Sequence, residues 1–175
     1  MPNTPDSRPT IRIGYGFDSH EFHTGIPLKI GGLMLPHHKG LGGHSDGDVL
    51  LHAITDALLG AIAAPDIGAL FPPSDPRWKG SDSIIFLREA LKRVREAGYA
   101  VANVDSSLIL AAPKIGPHAV TIRTRVAELL GVPCDCVGLK AKTPEGLDLD
   151  NAALAHVVVL LEKTPRQKKK APNKK

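Results

Sequence analysis

Cysteine and aromatic residues are scarce in this chain, and their scarcity excludes several classes of protein. The two cysteines form a single Cys134-x-Cys136 motif, so the sequence has neither a second pair for a zinc cage nor a disulfide framework. We therefore expect two reduced thiols and a cytoplasmic location. Phe, Trp and Tyr together make up 4% of the residues, too few for a surface that stacks nucleic-acid bases, and no nucleic-acid partner is expected.

Long apolar runs are also missing. The N-terminal MPNTPDSRPT contains no apolar segment of the kind found in signal peptides, and no uninterrupted apolar stretch reaches the length of a membrane span. No membrane partner is therefore expected. Hydrophobic residues nevertheless make up 42% of the chain, which is enough for a compact core without help from disulfides.

Acidic side chains are absent from the C-terminal end. Residues 163–175 contain seven Lys and Arg residues and no Asp or Glu. Because these seven charges exceed the net charge of +4 of the whole chain, the remainder is net acidic. We expect residues 164–175 to form a basic, disordered tail and residues 1–10, with three prolines, to form a flexible lead-in. Residues 11–163 then form a single domain.

Hydrophobic periodicity predicts strands and helices along this domain. Strands are predicted at 11–17, 99–111, 137–141 and 154–161, with a β-hairpin of 28–30 and 33–35. Helices are predicted over 49–63, from 83 to about 97 and over 117–130, with Asp48 and Ser83 as N-caps. The proline-rich segment 66–76 reads as a loop. The expected fold is α+β, a single-domain two-layer sandwich in which helices cover a mixed β-sheet with a β-hairpin arm.

Two segments supply a set of candidate metal ligands. Asp18 and His20 lie at the end of the first predicted strand, where residues two apart point to the same side. His52 lies one turn into the first predicted helix, and Asp56 one turn further could orient its imidazole. Two histidines and one carboxylate leave a fourth position open, which is typical of a catalytic zinc site. Imidazole favours zinc over magnesium, with manganese and cobalt as alternatives.

Groups suited to binding phosphate occur in three further segments. The glycine-rich GGHSDGD offers backbone amides together with His44 and Ser45, and AAPKIGP places Lys114 in a loop between two prolines. KTPE places the Thr143 hydroxyl beside the carboxylate of Glu145. Each segment alone is as typical of an ordinary turn as of a binding loop. Together with a metal site, they indicate metal-dependent phosphoryl transfer on a small phosphorylated substrate.

Four longer motifs occur along the chain in the order RIGYGFDSH, GLGGHSDGDVLLHAITDALLGA, DIGALFPPSDPRWKGSDS and NVDSSLILAAPKIGPH. Together they closely resemble the 2-C-methyl-D-erythritol 2,4-cyclodiphosphate synthase family of the non-mevalonate isoprenoid pathway. The resemblance runs from Ile11 to Lys163. It implies a homotrimer of α+β subunits with active sites between neighbouring subunits. It also implies a phosphorus–oxygen lyase that converts 4-diphosphocytidyl-2-C-methyl-D-erythritol 2-phosphate to the 2,4-cyclodiphosphate and releases CMP.

The resemblance also assigns metal ligands. Asp18, His20 and His52 would bind Zn²⁺ or another divalent transition metal. Glu145 would bind a second ion, Mg²⁺ or Mn²⁺, that accompanies the diphosphate of the substrate.

Contacts to the cytidine diphosphate substrate follow from the same resemblance. His44 and Thr143 would be catalytic, and the segment 112–116 would form the cytosine pocket. Asp66 and Gly68 match positions that hold the ribose hydroxyls. The residues that would contact the substrate are Asp18, His20, His44, Ser45, Asp66, Ile67, Gly68, Phe71, Asp75, Ala112, Pro113, Lys114, Ile115, Gly116, Lys142, Thr143 and Glu145.

The segment after Ala141 departs from the family pattern. Lys142 and Pro144 replace two threonines, and Pro144 lacks the N–H that could bind phosphate. An arginine-containing turn before the last strand is missing, and roughly three residues are deleted there, as surface loops tolerate. Pro73 stands where the family usually has Asp. These departures leave open whether a ligand binds in the central cavity of a trimer.

Two other functions remain as alternatives. The altered segment after Ala141 is compatible with hydrolysis of a nucleoside-diphosphate substrate at the same metal site. The basic tail is compatible with a non-enzymatic protein that binds nucleic acid or an anionic membrane. The family resemblance favours the cyclodiphosphate synthase over both.

Overall fold

The computed structural model describes residues 8–165. Residues 1–7 of the predicted lead-in and residues 166–175 of the predicted tail lie outside the described residues, so the domain limits stay a prediction. The strands are β1 (Ile11–Thr24), β2 (Leu28–Ile30), β3 (Leu33–Leu35), β4 (Lys39–Leu41), β5 (Tyr99–Leu110), β6 (Val137–Lys142) and β7 (Ala152–Lys163). The α-helices are α1 (Val49–Ala61), α2 (Ile67–Leu70), α3 (Ser83–Glu96) and α4 (Ala119–Leu130).

One mixed sheet organises the chain. Its five strands lie in the order β4-β1-β7-β5-β6, and β2 pairs with β3 in a separate hairpin. β5 and β6 are parallel, whereas the other neighbours in the sheet are antiparallel. α1 packs on β1 and β7, α3 packs beside α1 and on β5, and α4 packs beside α3 and on β6. This arrangement confirms the predicted α+β sandwich with a mixed sheet and a hairpin arm. No helix within residues 8–165 is long and apolar enough to cross a membrane.

The two faces of β1 have different side chains. Even-numbered residues face the helices, and two of them are Gly14 and Gly16. A Cβ atom at Gly14 would lie 1.9 Å from the carbonyl oxygen of Ala57, and one at Gly16 would lie 2.0 Å from that of Ala53. The missing side chains therefore allow α1 to lie directly on the strand. Nearly every residue of α1 is buried as a result.

Asp48 joins the start of α1 to the β2–β3 hairpin. Its buried carboxylate accepts a hydrogen bond from the N–H of Leu51 at 3.0 Å, which confirms the predicted N-cap. It also accepts from the N–H of Gly31 at 2.9 Å and of Gly32 at 2.6 Å. Both glycines have positive φ angles, 65° and 75°, which direct their N–H groups to Asp48. Glycine adopts such angles without the steric strain that a side chain would cause. Burial raises the pKa of Asp48 against the opposing effect of these bonds.

Three local predictions differ from the structure, and one strand was not predicted. β1 continues to Thr24 rather than ending at Phe17, because its last residues pair with β4, a strand that the sequence did not predict. The segment predicted as a loop contains α2, whose N-cap is Asp66. The N-cap of α3 is Asp82 rather than Ser83, because the Asp82 carboxylate accepts from the second N–H of the helix at 2.9 Å.

Candidate metal centre and active site

Asp18, His20 and His52 converge where β1 meets α1. Asp18 and His20 lie on the helix-facing side of β1, and His52 lies in the first turn of α1. His20 Nε2 is 2.9 Å from Asp18 Oδ2 and 3.1 Å from His52 Nδ1, and His52 Nδ1 is 3.0 Å from Asp18 Oδ2. Tetrahedral zinc with bonds of about 2.0 Å separates its ligand atoms by about 3.3 Å. The predicted trio therefore forms a group that could hold such an ion.

The charges in this cluster also suit a cation. Burial alone would raise the pKa of Asp18, but hydrogen bonds from His20 and His52 lower it to about 2. Burial alone would lower the pKa of His52, but its bond to Asp18 raises it above the ordinary value. Among residues 8–165, this is the one group of three or more His, Cys, Asp or Glu side chains that meets in this way. Two imidazole nitrogens and an ionised carboxylate suit zinc or another divalent transition metal.

The second nitrogen of His52 contacts two serines. His52 Nε2 is 2.9 Å from Ser45 Oγ and 2.8 Å from Ser83 Oγ. The prediction that Asp56 orients this ring is wrong. The Asp56 carboxylate instead accepts from the N–H of Ile67 at 2.8 Å and so holds the start of α2.

A cavity of about 220 Å³ opens beside the metal cluster. Ten residues line it, and seven of them were predicted to contact substrate or metal: His20, His44, Ser45, His52, Ile67, Gly68 and Phe71. The structure adds Pro73, Trp78 and Phe86 to its walls. The centroid of the Phe71 ring is 4.5 Å from that of Phe86 and 5.1 Å from that of Trp78. One part of the cavity wall is therefore aromatic, and His20 and His52 of the metal cluster also line the cavity.

The sequence reasoning missed Trp78 and Phe86. A signal for them existed, because the chain has only seven aromatic residues (one Trp, two Tyr and four Phe). Three of those seven, including Phe71, meet at this cavity. Two polar atoms on its walls, His44 Nε2 and Trp78 Nε1, are buried and have no hydrogen-bond partner within the described range. Such atoms are costly unless a ligand or water completes their bonding.

A second cavity of about 330 Å³ lies at the C-terminal ends of β5 and β6. Its walls are formed by Leu110, Pro113, Lys114, Ile115, Gly116, Ala141, Lys142, Thr143 and Glu145. Seven of these nine were predicted to contact the substrate, and the predicted Ala112 precedes Pro113 through a cis peptide bond. The Thr143 hydroxyl donates to the Glu145 carboxylate, and Glu145 has a positive φ of 52°. A non-glycine residue held in this conformation is often found at a functional site.

The family is decided by comparison with known proteins. Residues 11–162 match the model of the YgbB family. Over 153 residues the chain is 69% identical to the 2-C-methyl-D-erythritol 2,4-cyclodiphosphate synthase of Koribacter versatilis (strain Ellin345), covering 87% of this chain and 99% of that protein. The chain belongs to this family.

Other members of the YgbB family agree in sequence and fold. The chloroplastic 2-C-methyl-D-erythritol 2,4-cyclodiphosphate synthase of Arabidopsis thaliana is 51% identical over 156 residues, covering 87% of this chain and 68% of that protein. A solved structure of a 2C-methyl-D-erythritol-2,4-cyclodiphosphate synthase superposes with a TM-score of 0.82 at 48% identity, covering 86% of this chain and all of the other. A second such structure, in a form with CDP bound, has the same TM-score at 46% identity, with 86% of this chain covered and 100% of that one.

Two further residues assigned by family resemblance lie outside the walls of both cavities. The exposed Asp66 accepts from the N–H of Ala69 at 2.7 Å and caps α2. Asp75 forms an ion pair with Arg77 at 2.6 Å, and these bonds lower the pKa of its carboxyl. The substrate contacts of both residues stay predictions.

The two cavities of this family member are far apart on one chain. The metal cluster is on β1 and the second cavity is at β6, with β7 and β5 between these strands. Three strand spacings amount to about 14 Å. The sheet face that points away from the helices also carries exposed apolar side chains, among them Ile13 at 67% and Tyr15 at 59% exposure. An apolar patch of this kind commonly marks an interaction surface.

Proposed function

We propose that the chain converts 4-diphosphocytidyl-2-C-methyl-D-erythritol 2-phosphate to 2-C-methyl-D-erythritol 2,4-cyclodiphosphate and CMP in isoprenoid precursor biosynthesis. The observation that carries this proposal is the convergence of Asp18, His20 and His52 beside a cavity lined by residues of the family motifs. The names of close relatives and the CDP bound to a related structure support it. We place the reaction in the cytoplasm because both cysteines are free thiols.

The proposed metal is zinc or another divalent transition ion held by Asp18, His20 and His52. When bound, such an ion supplies Lewis acidity and neutralises phosphate charge. Three protein ligands would leave such an ion accessible to the substrate. The low pKa of Asp18 keeps this ligand ionised across the physiological range.

The chain itself positions the reacting groups. An oxygen of the 2-phosphate attacks the β-phosphorus, the bond from that phosphorus to the oxygen bridging to the α-phosphorus breaks, and this oxygen leaves as part of CMP. We assign His44 and Ser45 to hold the 2-phosphate and the erythritol carbons, because both line the cavity and His44 Nε2 is a buried polar atom without a partner among the described residues. Catalysis then depends on alignment and on the exclusion of water by the aromatic wall.

The second cavity is proposed to hold the cytidine and its phosphates. Backbone groups of residues 112–116 would read the cytosine edge, and Lys142 would add positive charge near the phosphates. The Thr143 hydroxyl and the Glu145 carboxylate already meet at one edge of this cavity. The carboxylate would be a suitable ligand for an Mg²⁺ or Mn²⁺ ion that accompanies the diphosphate.

We propose a homotrimer in which each active site lies between two subunits. The separation of the two cavities by three strand spacings supports this proposal, because a metal cluster from one subunit can meet the nucleotide cavity of the next. The exposed apolar stripe on the outer sheet face supplies the contact surface. It consists of Ile11, Ile13, Tyr15, Phe17 and Val158. Light scattering after size exclusion should give three times the mass of the chain.

Phosphorus NMR of the purified protein with the substrate and Mg²⁺ tests the reaction. We expect cyclic diphosphate signals together with CMP, and their loss in the His52→Ala variant. The His38→Ala variant, which alters an exposed loop histidine outside the metal cluster, should keep the parent activity. CMP accompanied by a linear phosphate would identify a hydrolase. No CMP from folded, metal-loaded protein would refute the proposed substrate.

A further inference from the structure

A line of hydrogen bonds runs from the β2–β3 hairpin to the metal cluster. Lys29 Nζ lies 2.9 Å from Asp46 Oδ2, and the Ser83 hydroxyl donates to Asp46 Oδ1. Ser83 Oγ in turn lies 2.8 Å from His52 Nε2. His52 is therefore contacted on its metal-facing nitrogen by Asp18 and on its other nitrogen by this line.

The direction of each bond in this line follows from its partners. The ionised carboxylate of Asp46 can only accept, and the Ser83 hydroxyl has a single proton to donate. Because that proton is directed to Asp46, Ser83 Oγ can only accept at its contact with His52 Nε2. This contact therefore favours a proton on Nε2 of the neutral His52 ring and a lone pair on Nδ1, whereas Asp18 Oδ2 favours a proton on Nδ1 when no metal is bound. Nδ1 is the nitrogen that points to Asp18 Oδ2 and His20 Nε2.

We propose that Ser83, oriented by Asp46, is a positioning residue that favours a proton on Nε2 of His52 and so makes Nδ1 available to the metal. The proposal rests on the metal site of the proposed function. It assigns to Ser83 a role in metal affinity, with no direct contact to substrate. A metal-bound histidine usually donates its other N–H to such a partner, which fixes the ring and its tautomer.

The local structure keeps Ser83 in this role. It is the first residue of α3 and is fully buried, and its own N–H donates to Asp46 Oδ2 at 3.2 Å. Asp46 is therefore bound twice by Ser83 and once by Lys29. Although burial alone would raise the pKa of Asp46, these bonds lower it, so the carboxylate stays ionised. Within residues 8–165, Asp46 is the one charged acceptor that the Ser83 hydroxyl contacts.

Ser45 is a natural comparison, because its hydroxyl also lies 2.9 Å from His52 Nε2. Within the described part of the chain, no carboxylate bonds to Ser45 Oγ to direct its proton. Ser45 can therefore donate to His52 or accept from it with equal ease. In Ser83→Ala, His52 Nε2 keeps only Ser45, whose hydroxyl proton no carboxylate orients. In Ser45→Ala it keeps Ser83, whose hydroxyl proton is directed to Asp46. The two variants remove the same group from the same nitrogen and should have different consequences.

The first measurement is the tautomer of His52 in metal-free protein, read from the ¹⁵N shifts of its ring at a pH above its titration. We expect a larger share of Nε2–H in the parent and in Ser45→Ala than in the variants that lack the directed acceptor. In Ser83→Ala the population should shift toward Nδ1–H, because Ser45 can donate to Nε2 while Asp18 accepts from Nδ1. Asp46→Asn keeps the Ser83 hydroxyl but frees its proton, and it should shift the tautomer in the same direction. This second variant keeps the test valid if Ser83→Ala does not fold.

The second measurement is zinc affinity by competition with a chromogenic chelator. Loss of the directed partner should weaken binding by about 10-fold or more in Ser83→Ala and Asp46→Asn, the range found for outer partners of metal-bound histidines. Ser45→Ala should lose less. Equal losses in the two serine variants, or an unchanged tautomer in Ser83→Ala and Asp46→Asn, would overturn the proposal. A parent protein that has the Nε2–H tautomer yet binds no zinc would refute the metal site of the proposed function instead.

Discussion

Gly16→Ala is expected to damage the metal site without touching any ligand. Gly16 faces α1, and an added Cβ would lie 2.0 Å from the carbonyl oxygen of Ala53 and 2.7 Å from the N–H nitrogen of Ala57. Real Cβ atoms essentially never come closer than 3.0 Å to such atoms. Since both neighbours are backbone, α1 must move away from β1 by about 1 Å, as close-packed interiors have no slack.

The size of the effect follows from where this movement occurs. His52 precedes Ala53 on α1, whereas Asp18 and His20 are on β1. Metal–ligand bonds tolerate errors of only about 0.2 Å, so a shift of about 1 Å separates His52 from its co-ligands. We expect zinc affinity to fall at least about 10-fold. The free energy of unfolding should fall by about 1–3 kcal/mol, the usual cost of overpacking a core.

Chelator competition and urea denaturation measure these two quantities, and Gly60→Ala is the matched control. Gly60 lies on the same helix, but a Cβ there would be 3.7 Å from the carbonyl oxygen of Tyr15, an ordinary contact. This variant should keep its zinc affinity and gain about 0.5–1 kcal/mol, because alanine is the better helix former. If Gly16→Ala binds zinc as the parent does, direct contact of helix and strand does not set the ligand geometry.

Two further predictions concern the buried Asp48 and the charge of His52. Asp48→Ala leaves two inward-pointing glycine amides without an acceptor and should lower the free energy of unfolding by about 3 kcal/mol. Asp48→Asn should lose less, and a loss below about 1 kcal/mol in the alanine variant would contradict this account. For His52, the raised pKa in the folded state means that its contribution to the stability of metal-free protein is fully present below the unfolded pKa of 6.5. That contribution is lost as the pH rises through the folded pKa of His52. The melting temperature of the metal-free parent should therefore fall over this pH range. The Asp18→Asn variant should not show this fall, because it lacks the carboxylate that raises the pKa.

The sequence was sufficient to predict the group of Asp18, His20 and His52 that could hold a metal, because the regular geometry of β1 and α1 positions these side chains. The alternation of β1 places Asp18 and His20 on one face, and Asp48, predicted as the N-cap, fixes where α1 begins and hence where His52 points. The same reasoning from helical spacing gave a wrong prediction for Asp56. Its position one turn after His52 suggested a contact with that ring, but its side chain turns to the N–H of Ile67 on the next segment.

Contacts between distant segments could not be predicted in this way. Asp46 and Ser83 are separated by 37 positions, and no spacing rule links them to each other or to His52. The aromatic cavity wall could not be predicted for the same reason, because Phe71, Trp78 and Phe86 come from three different local structures. The second half of β1 was missed because polar residues interrupt its apolar alternation, and only pairing with β4 and β7 keeps it extended.

The two-faced alternation of β1 has a consequence for insertions and deletions. Gaining or losing a single residue within the strand would exchange its faces, placing the metal ligands among the exposed apolar side chains and those side chains against α1. Substitutions on the outer face can accumulate one at a time, but the length of this strand cannot change. The connection between β6 and β7 has no such periodic constraint, and it is the segment where we expect this chain to be shorter than the family pattern.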